Sequence, residues 1–284
     1  MSNIKVLILR TAGTNCDQET KVAFELLKAR VKMVHVNELI KGRDRICNYQ
    51  IVAIPGGFTY GDDIAAGRIL ANELKMKLKE ELELFLNKNG MMIGICNGFQ
   101  VLVKTGILPG NRDWRQKVTL TSNDSGKFED RWVYLKKPVT RPLENLPLVN
   151  IRAGVPARGR PKIKDICVWT KGMDEIIYLP VAHGEGKFVP ESKEILEQIK
   201  NEGQVVFEYC NKKGKMPFYP DNPNGSAEHI AGICDKTGRI FGLMPHPERC
   251  VFKTQHPRWT REKFSGIPDG LKIFKNAMEF LEKA

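Results

Sequence analysis

The sequence predicts an α/β fold built on a mostly parallel central sheet with helices on both faces, and three observations carry that prediction. In the first hundred residues, short apolar runs alternate with stretches whose apolar residues recur at helical spacing. One run, Ile51 to Ile54, stops abruptly at Pro55-Gly56-Gly57. Another, Met91 to Ile95, passes through Gly94-Ile95-Cys96-Asn97-Gly98 straight into a helical pattern.

The elements follow in order. Ile4 to Leu9 is a strand, rich in Leu and β-branched residues, and Thr11 to Asn15 is a loop. Asp17 to Lys28 carries Val22, Ala23, Leu26 and Leu27 on one helical face. Val31 to Val36 and Ile51 to Ile54 are the next strands, and a long helix spans about 64–87 with a break near Glu73. After the strand Met91 to Ile95, a helix from Phe99 to Lys104 ends at Gly106. The second half reads as strands joined by turns: Val118 to Leu120, Trp132 to Leu135, Ile177 to Pro180, Val205 to Tyr209, Ile230 to Cys234 and Ile240 to Met244. Asp235-Lys236-Thr237-Gly238 is a hairpin turn. Glu191 to Asn201 is a short helix, and Leu271 to Lys283 a terminal amphipathic one. No linker divides the chain, so 1–284 reads as one domain, with an insertion rich in Pro, Gly and Lys at 138–174.

Composition narrows the function classes. The 284 residues carry a net charge of +12, which raises the question of nucleic acid. The cations are spread along the chain among glutamates, and the densest basic stretch, Arg152 to Lys164, has no interleaved aromatics. That pattern favours a solvated or protein-docking surface, and no nucleic-acid partner is expected. No apolar run reaches membrane-spanning length, and the N-terminus reads as a strand, not a signal peptide. Seven widely spaced cysteines without a C-x-x-C pair argue against a disulfide framework or a zinc site. Reduced thiols in the cytoplasm are the economical reading, and no metal is expected.

The chemistry-bearing residues fall into three groups. Gly-x-Cys-x-Gly between a strand and a helix is the cysteine form of a nucleophile elbow. The glycines relieve crowding at the turn, and the helix N-terminus facing the Cys96 sulfur favours a thiolate. A thiolate nucleophile needs a base, and the base needs an orienter. Met244-Pro245-His246-Pro247-Glu248 supplies both at the end of a strand. Residues two apart in extended chain face the same way, so His246 and Glu248 can serve one site. Attack on an amide carbonyl also needs oxyanion donors. The Gly-Gly turn at the carboxyl end of its strand makes the backbone N–H groups of Gly57 and Asn97 the candidates.

These residues resemble class I, triad-type glutamine amidotransferases. Pro55-Gly56-Gly57, Gly94 to Gln100 and Pro245-His246-Pro247-Glu248 stand in that family's order. The resemblance implies a flavodoxin-like three-layer αβα sandwich and a triad of Cys96, His246 and Glu248. It also implies glutamine contacts at Gly56, Gly57, Gln100 and Phe128.

Within that family the chain is most similar to the glutaminase components of phosphoribosylformylglycinamidine synthase, in purine synthesis. Gly13-Thr14-Asn15-Cys16-Asp17, Phe58-Thr59-Tyr60-Gly61-Asp62, Ser125 to Val133, Ala182 to Phe188 and Asn222 to Ser226 resemble its signatures. Thr14 and Thr59 keep the hydroxyl of the usual serine. The segments 138–174 and 252–268 are longer than in the compact form. His183 and Glu185, in a polar turn, are placed near the glutamine pocket or the ammonia exit.

The implied partners are a large ATP-dependent synthetase subunit and a small bridging subunit. The chain has no G-x-x-x-x-G-K-[ST] loop, so ATP and Mg are expected on the synthetase and no cofactor in this chain. Two alternatives stay open from the residues alone. One is an amidotransferase of another pathway, or a related cysteine hydrolase. The other is a basic, non-catalytic binding module.

Overall fold

The computed structural model describes residues 2–110, 113–138, 165–215, 217–262 and 265–283. Most of the insertion expected at 138–174 therefore lies outside the described residues.

Strand β1 (Lys5–Arg10) is followed by α1 (Asp17–Glu25), β2 (Arg30–His35), α2 (Val36–Ile40) and β3 (Ile51–Ile54). Helices α3 (Arg68–Lys77) and α4 (Lys79–Asn87) lead to β4 (Met91–Ile95) and α5 (Asn97–Thr105). The second half holds β5 (Val118–Thr121), β6 (Glu129–Lys136), β7 (Ile176–His183), β8 (Lys187–Pro190), α6 (Lys193–Asn201), β9 (Val205–Cys210), β10 (Ile230–Cys234), β11 (Ile240–Leu243) and α7 (Asp269–Lys283).

Among the described residues, nine strands form one sheet in the order β2-β1-β3-β4-β11-β10-β9-β6-β7. The pairings from β2 to β11 are parallel, and those from β11 to β7 antiparallel. Every residue of β3, β4 and β11 is buried. That is the mark of strands covered on both faces. Helices α3 and α5 approach so closely that a Cβ on Gly67 would come within 2.9 Å of the Val101 side chain. Helices α1 and α7 meet through Phe24 and Phe274, edge to face at 5.0 Å. The result is the expected αβα sandwich, extended by an antiparallel wing.

The differences from the sequence reading have physical causes. The long helix breaks at Leu78, not near Glu73. Leu70, Leu74, Leu78 and Leu82 recur every fourth residue and are all buried. At 3.6 residues per turn such a stripe drifts about 40° per step, and a kink resets it. The short elements α2 and β8 were not legible. Helix α2 is held by its own cap, the His35 ring accepting from the Asn37 N–H at 3.2 Å. Among the described residues β8 pairs only with β5, in a separate two-stranded sheet. The hairpin turn at 235–238 is present, with Gly238 at φ +71° and its N–H on the Asp235 carbonyl at 3.0 Å. In the 252–268 segment, Arg258 stacks 5.1 Å over Tyr178 and donates to the Tyr134 hydroxyl at 2.8 Å.

Among the described residues, no helix is long and apolar enough to cross a membrane.

Candidate active site

The site forms where parallel strands β3, β4 and β11 end together. Cys96 follows β4 with φ +51° and ψ −104°, a left-handed backbone that a side chain rarely adopts. The turn is possible only because its flanks are bare. A Cβ on Gly98 would overlap the carbonyl oxygen of Ile54, and one on Gly94 would come within 2.5 Å of the Gly98 carbonyl. The thiol is 5% exposed and sits 3.6 Å from the Ala182 carbonyl oxygen.

Strand β11 lies beside β4 with Leu243 opposite Ile95. That register brings the segment after β11 alongside Cys96. The His246 N–H is fixed on the Pro180 carbonyl at 2.8 Å. His246 Nδ1 and Glu248 Oε1 are 2.6 Å apart, both side chains buried. They reach this geometry by a route other than extended chain. Pro247–Arg249 is a single 3-10 turn with Pro247 at its first position. There a missing N–H costs nothing and a fixed φ helps. The expectation of an extended segment from His246 to Glu248 is thereby corrected.

With Nδ1–H donated to Glu248, Nε2 is the free face of the ring. It is buried and makes no hydrogen bond. Burial opposes a charge on the ring, but the Glu248 carboxylate and the Cys96 sulfur outweigh it, so the His246 pKa is raised well above its ordinary value. Those neighbours favour the protonated ring.

The turn after β3 lines the other side. A Cβ on Gly56 would come within 2.7 Å of His246 Cε1. Gly57 has φ +139°, and a Cβ there would meet Asn15 Oδ1 at 2.5 Å. Asn97 opens α5, so its backbone N–H has no acceptor within the helix. Its side chain ties the 59–62 loop to the first turns of α5. It accepts from the Thr59 hydroxyl at 2.7 Å and donates to Asp62 Oδ1 at 3.1 Å and to Gln100 Oε1 at 2.9 Å.

Gln100 is 3% exposed and donates to the Glu185 carbonyl at 2.6 Å. Glu185 in turn accepts from the Ala66 N–H at 3.3 Å, bridging two loops. Phe128 lies at the rim, 53% exposed, its ring centroid 6.3 Å from that of Phe58.

His183 is held between two loops. It is 3% exposed, with Nδ1 at 3.1 Å from Asn123 Oδ1 and Nε2 at 3.5 Å from Asn224 Nδ2. Both ring nitrogens are engaged, and burial pushes its pKa down to about 3. The ring is a neutral structural strut. This has a consequence for stability. In the unfolded chain the ring takes a proton below about pH 6.5. The folded state refuses it, so stability is full above that pH and falls as the pH drops towards about 3. We expect the loss to approach roughly 1.4 kcal/mol per pH unit below that threshold. His183→Gln should flatten that part of the profile, read by denaturant titration at pH 7 and pH 5.

Sequence reasoning missed Cys16. Its sulfur is 3.9 Å from His246 Nδ1 and 3.2 Å from Arg249 Nη2. The Asn15-Cys16-Asp17 string was visible, but its partner lies 230 residues away. Donor atoms of Cys16, His246 and Glu248 fall within 4.8 Å of one another. The spacing does not suit a metal. A 2.6 Å Nδ1···Oε1 contact is a hydrogen bond with no room for an ion between its ends, and Arg249 already faces the sulfur.

The chain matches the model of the CobB/CobQ-like glutamine amidotransferase domain over residues 3–156 and 160–281. It is 50% identical over 281 residues to the phosphoribosylformylglycinamidine synthase subunit PurQ of Dehalococcoides mccartyi, covering 99% of this chain and 98% of that one. It is 38% identical to the PurQ subunit of Archaeoglobus fulgidus, over 99% and 98% of the two chains. Among solved structures it is similar to a chain of PurLQS from Thermotoga maritima, with a TM-score of 0.69, 26% identity and coverage of 99% and 100%.

Proposed function

The chain belongs to the CobB/CobQ-like glutamine amidotransferase family, and from that premise we infer that it is the glutaminase subunit of phosphoribosylformylglycinamidine synthase in purine biosynthesis. It hydrolyses glutamine to glutamate and supplies the ammonia to an ATP-dependent synthetase subunit. Its partners are a large, PurL-type synthetase subunit and a small, PurS-type one.

The observation that carries the mechanism is the direction of the His246 ring. Nδ1 is committed to Glu248, Nε2 is left without a hydrogen-bond partner, and Cys96 is among the groups that raise the ring's pKa. In the mechanism we propose, the Cys96 sulfur attacks the side-chain amide carbon of glutamine. Negative charge gathers on the amide oxygen, and the backbone N–H groups of Gly57 and Asn97 receive it. The C–N bond breaks as His246 Nε2–H protonates the departing nitrogen, giving ammonia and a thioester at Cys96. The now neutral ring takes a proton from water, whose oxygen attacks the thioester and releases glutamate. Glu248 keeps the ring in the required tautomer and stabilises its charged form. Gly56, Gly57, Gln100 and Phe128 are proposed to contact the glutamine, and His183 and Glu185 to line its pocket or the ammonia exit.

ATP and Mg are proposed to act on the synthetase subunit, not in this chain. A cytoplasmic location is also proposed, supported by seven cysteines that are all free thiols.

Reconstitution tests the reading. This chain mixed with PurL- and PurS-type subunits, ATP and formylglycinamide ribonucleotide should form product and glutamate in equal amounts from glutamine. Product formed from ammonium but never from glutamine would contradict it.

A further inference from the structure

The Cys16 loop lies outside the triad, yet it touches the orienting half of it. We propose that Cys16 is a positioning residue that holds the His246 ring in line with Cys96, with Arg249 anchoring the Cys16 sulfur. The inference rests on the glutaminase reading above.

Cys16 is 2% exposed and fixed from both sides. Its backbone N–H donates to the Gly56 carbonyl at 3.2 Å, and its own carbonyl accepts from the Thr20 hydroxyl at 2.7 Å. The Cys16 backbone is therefore held to the loop carrying Gly56 and to the start of α1. Gly56, with no side chain, leaves space for the ring. A Cβ there would stand 2.7 Å from His246 Cε1 and 3.3 Å from Cys16 Sγ. The imidazole edge is thus flanked by the bare backbone of Gly56 and by the sulfur.

One hydrogen bond fixes one point of a ring. Glu248 Oε1 holds Nδ1 at 2.6 Å, and the ring could still swing about that contact. The sulfur at 3.9 Å is a second, softer acceptor for the same N–H and limits the swing. Arg249 Nη2, 3.2 Å from the sulfur, keeps it in place, and the guanidinium reaches towards Glu19 on α1 at 3.9 Å. Cys16 is not a catalytic residue: its sulfur is on the Nδ1 side, whereas the mechanism proposed above uses Nε2.

The charged and titratable groups around His246 are Glu248, Cys96, Cys16, the nearby Arg249 and the neutral His183. Of these, the Cys16 contact favours the protonated ring, as Glu248 and Cys96 do. Its loss should both loosen the ring and let its proton go at lower pH.

The test compares wild type, Cys16→Ala and Cys16→Ser in the assembled complex, with glutamate release measured against pH. Cys16→Ala should lower kcat about tenfold, the scale on which a lost positioning contact acts. KM for glutamine should stay within about twofold, since binding is not the affected step. The alkaline limb of the pH profile should move to lower pH. Cys16→Ser keeps a smaller acceptor, and should show about a threefold fall with a smaller shift of the limb. If Cys16→Ala does not fold, the serine variant carries the test alone. Wild-type kcat and an unmoved limb in the folded variants would overturn the proposal. So would a fall in rate that follows a fall in thermal midpoint while the limb stays put. A wild-type complex that releases no glutamate at all would defeat the glutaminase reading, a result distinct from an active wild type indifferent to Cys16.

Discussion

Cys96→Ala should abolish glutamine hydrolysis, by a factor of about 10⁴ or more, while the assembled synthetase still makes product from ammonium. In the proposed mechanism the sulfur supplies the only bond to the substrate carbon. Alanine leaves the His246–Glu248 pair and the backbone donors standing, but nothing for them to activate. The fold should tolerate the change, because the strain at φ +51° belongs to the turn and its glycines, not to the thiol. The check is paired: glutamate release with glutamine, and ATP-dependent product formation with ammonium. Loss of both activities would mean that the variant had disturbed the complex. Retention of the first would mean that another group is the nucleophile.

Glu248→Gln should be almost as damaging, with glutaminase kcat down about 10²- to 10⁴-fold and little change in the folded structure. Glu248 is fully buried, and one carboxylate oxygen takes the His246 Nδ1–H at 2.6 Å. The other oxygen has no hydrogen-bond partner. A glutamine amide must place its NH₂ at one of these two positions. At the second it would be a buried donor without an acceptor, costing about 1–3 kcal/mol. Turned towards His246 it would donate to Nδ1 and force the ring proton onto Nε2, the tautomer that cannot accept a proton from water or sulfur. Either way the buried negative charge that supports the imidazolium is gone. The pH profile separates this from simple unfolding. Without Glu248 the His246 pKa should fall, because the carboxylate is the foremost group raising it against burial. The ring then loses its proton earlier as pH rises, and the alkaline limb moves down.

How much of this was legible in the sequence depends on the range of the interaction that decides each feature. The parallel half was clear because β1, β3 and β4 are continuous apolar runs whose boundaries are set by local punctuation, Arg10, Pro55 and the elbow glycines. The elbow was clear for the same reason: the turn needs glycines at fixed offsets from Cys96. The His246–Glu248 pair was found by spacing, although the backbone that aligns it is a 3-10 turn and not an extended segment. That distinction depends on how Pro247 is accommodated next to β11, which the two-residue spacing does not encode.

Other features were hidden because they are tertiary. Cys16 meets His246 across 230 residues, and nothing local to the Asn15-Cys16-Asp17 string points there. His183 stands in a polar turn, and the residues that clasp its two nitrogens, Asn123 and Asn224, come from two other loops. The break at Leu78 was misplaced because it depends on the direction of a buried stripe and not on a helix-breaking residue.

The most direct test of the account is covalent labelling. A diazo-ketone analogue of glutamine, incubated with the assembled complex and followed by peptide mapping, should attach to the Cys96 sulfur alone and stop glutamate release in proportion to labelling. Glutamine should protect, and His246→Ala should label far more slowly. Attachment elsewhere with Cys96 unmodified, or full labelling of Cys96 with glutaminase activity intact, would contradict the central claim that this sulfur is the nucleophile.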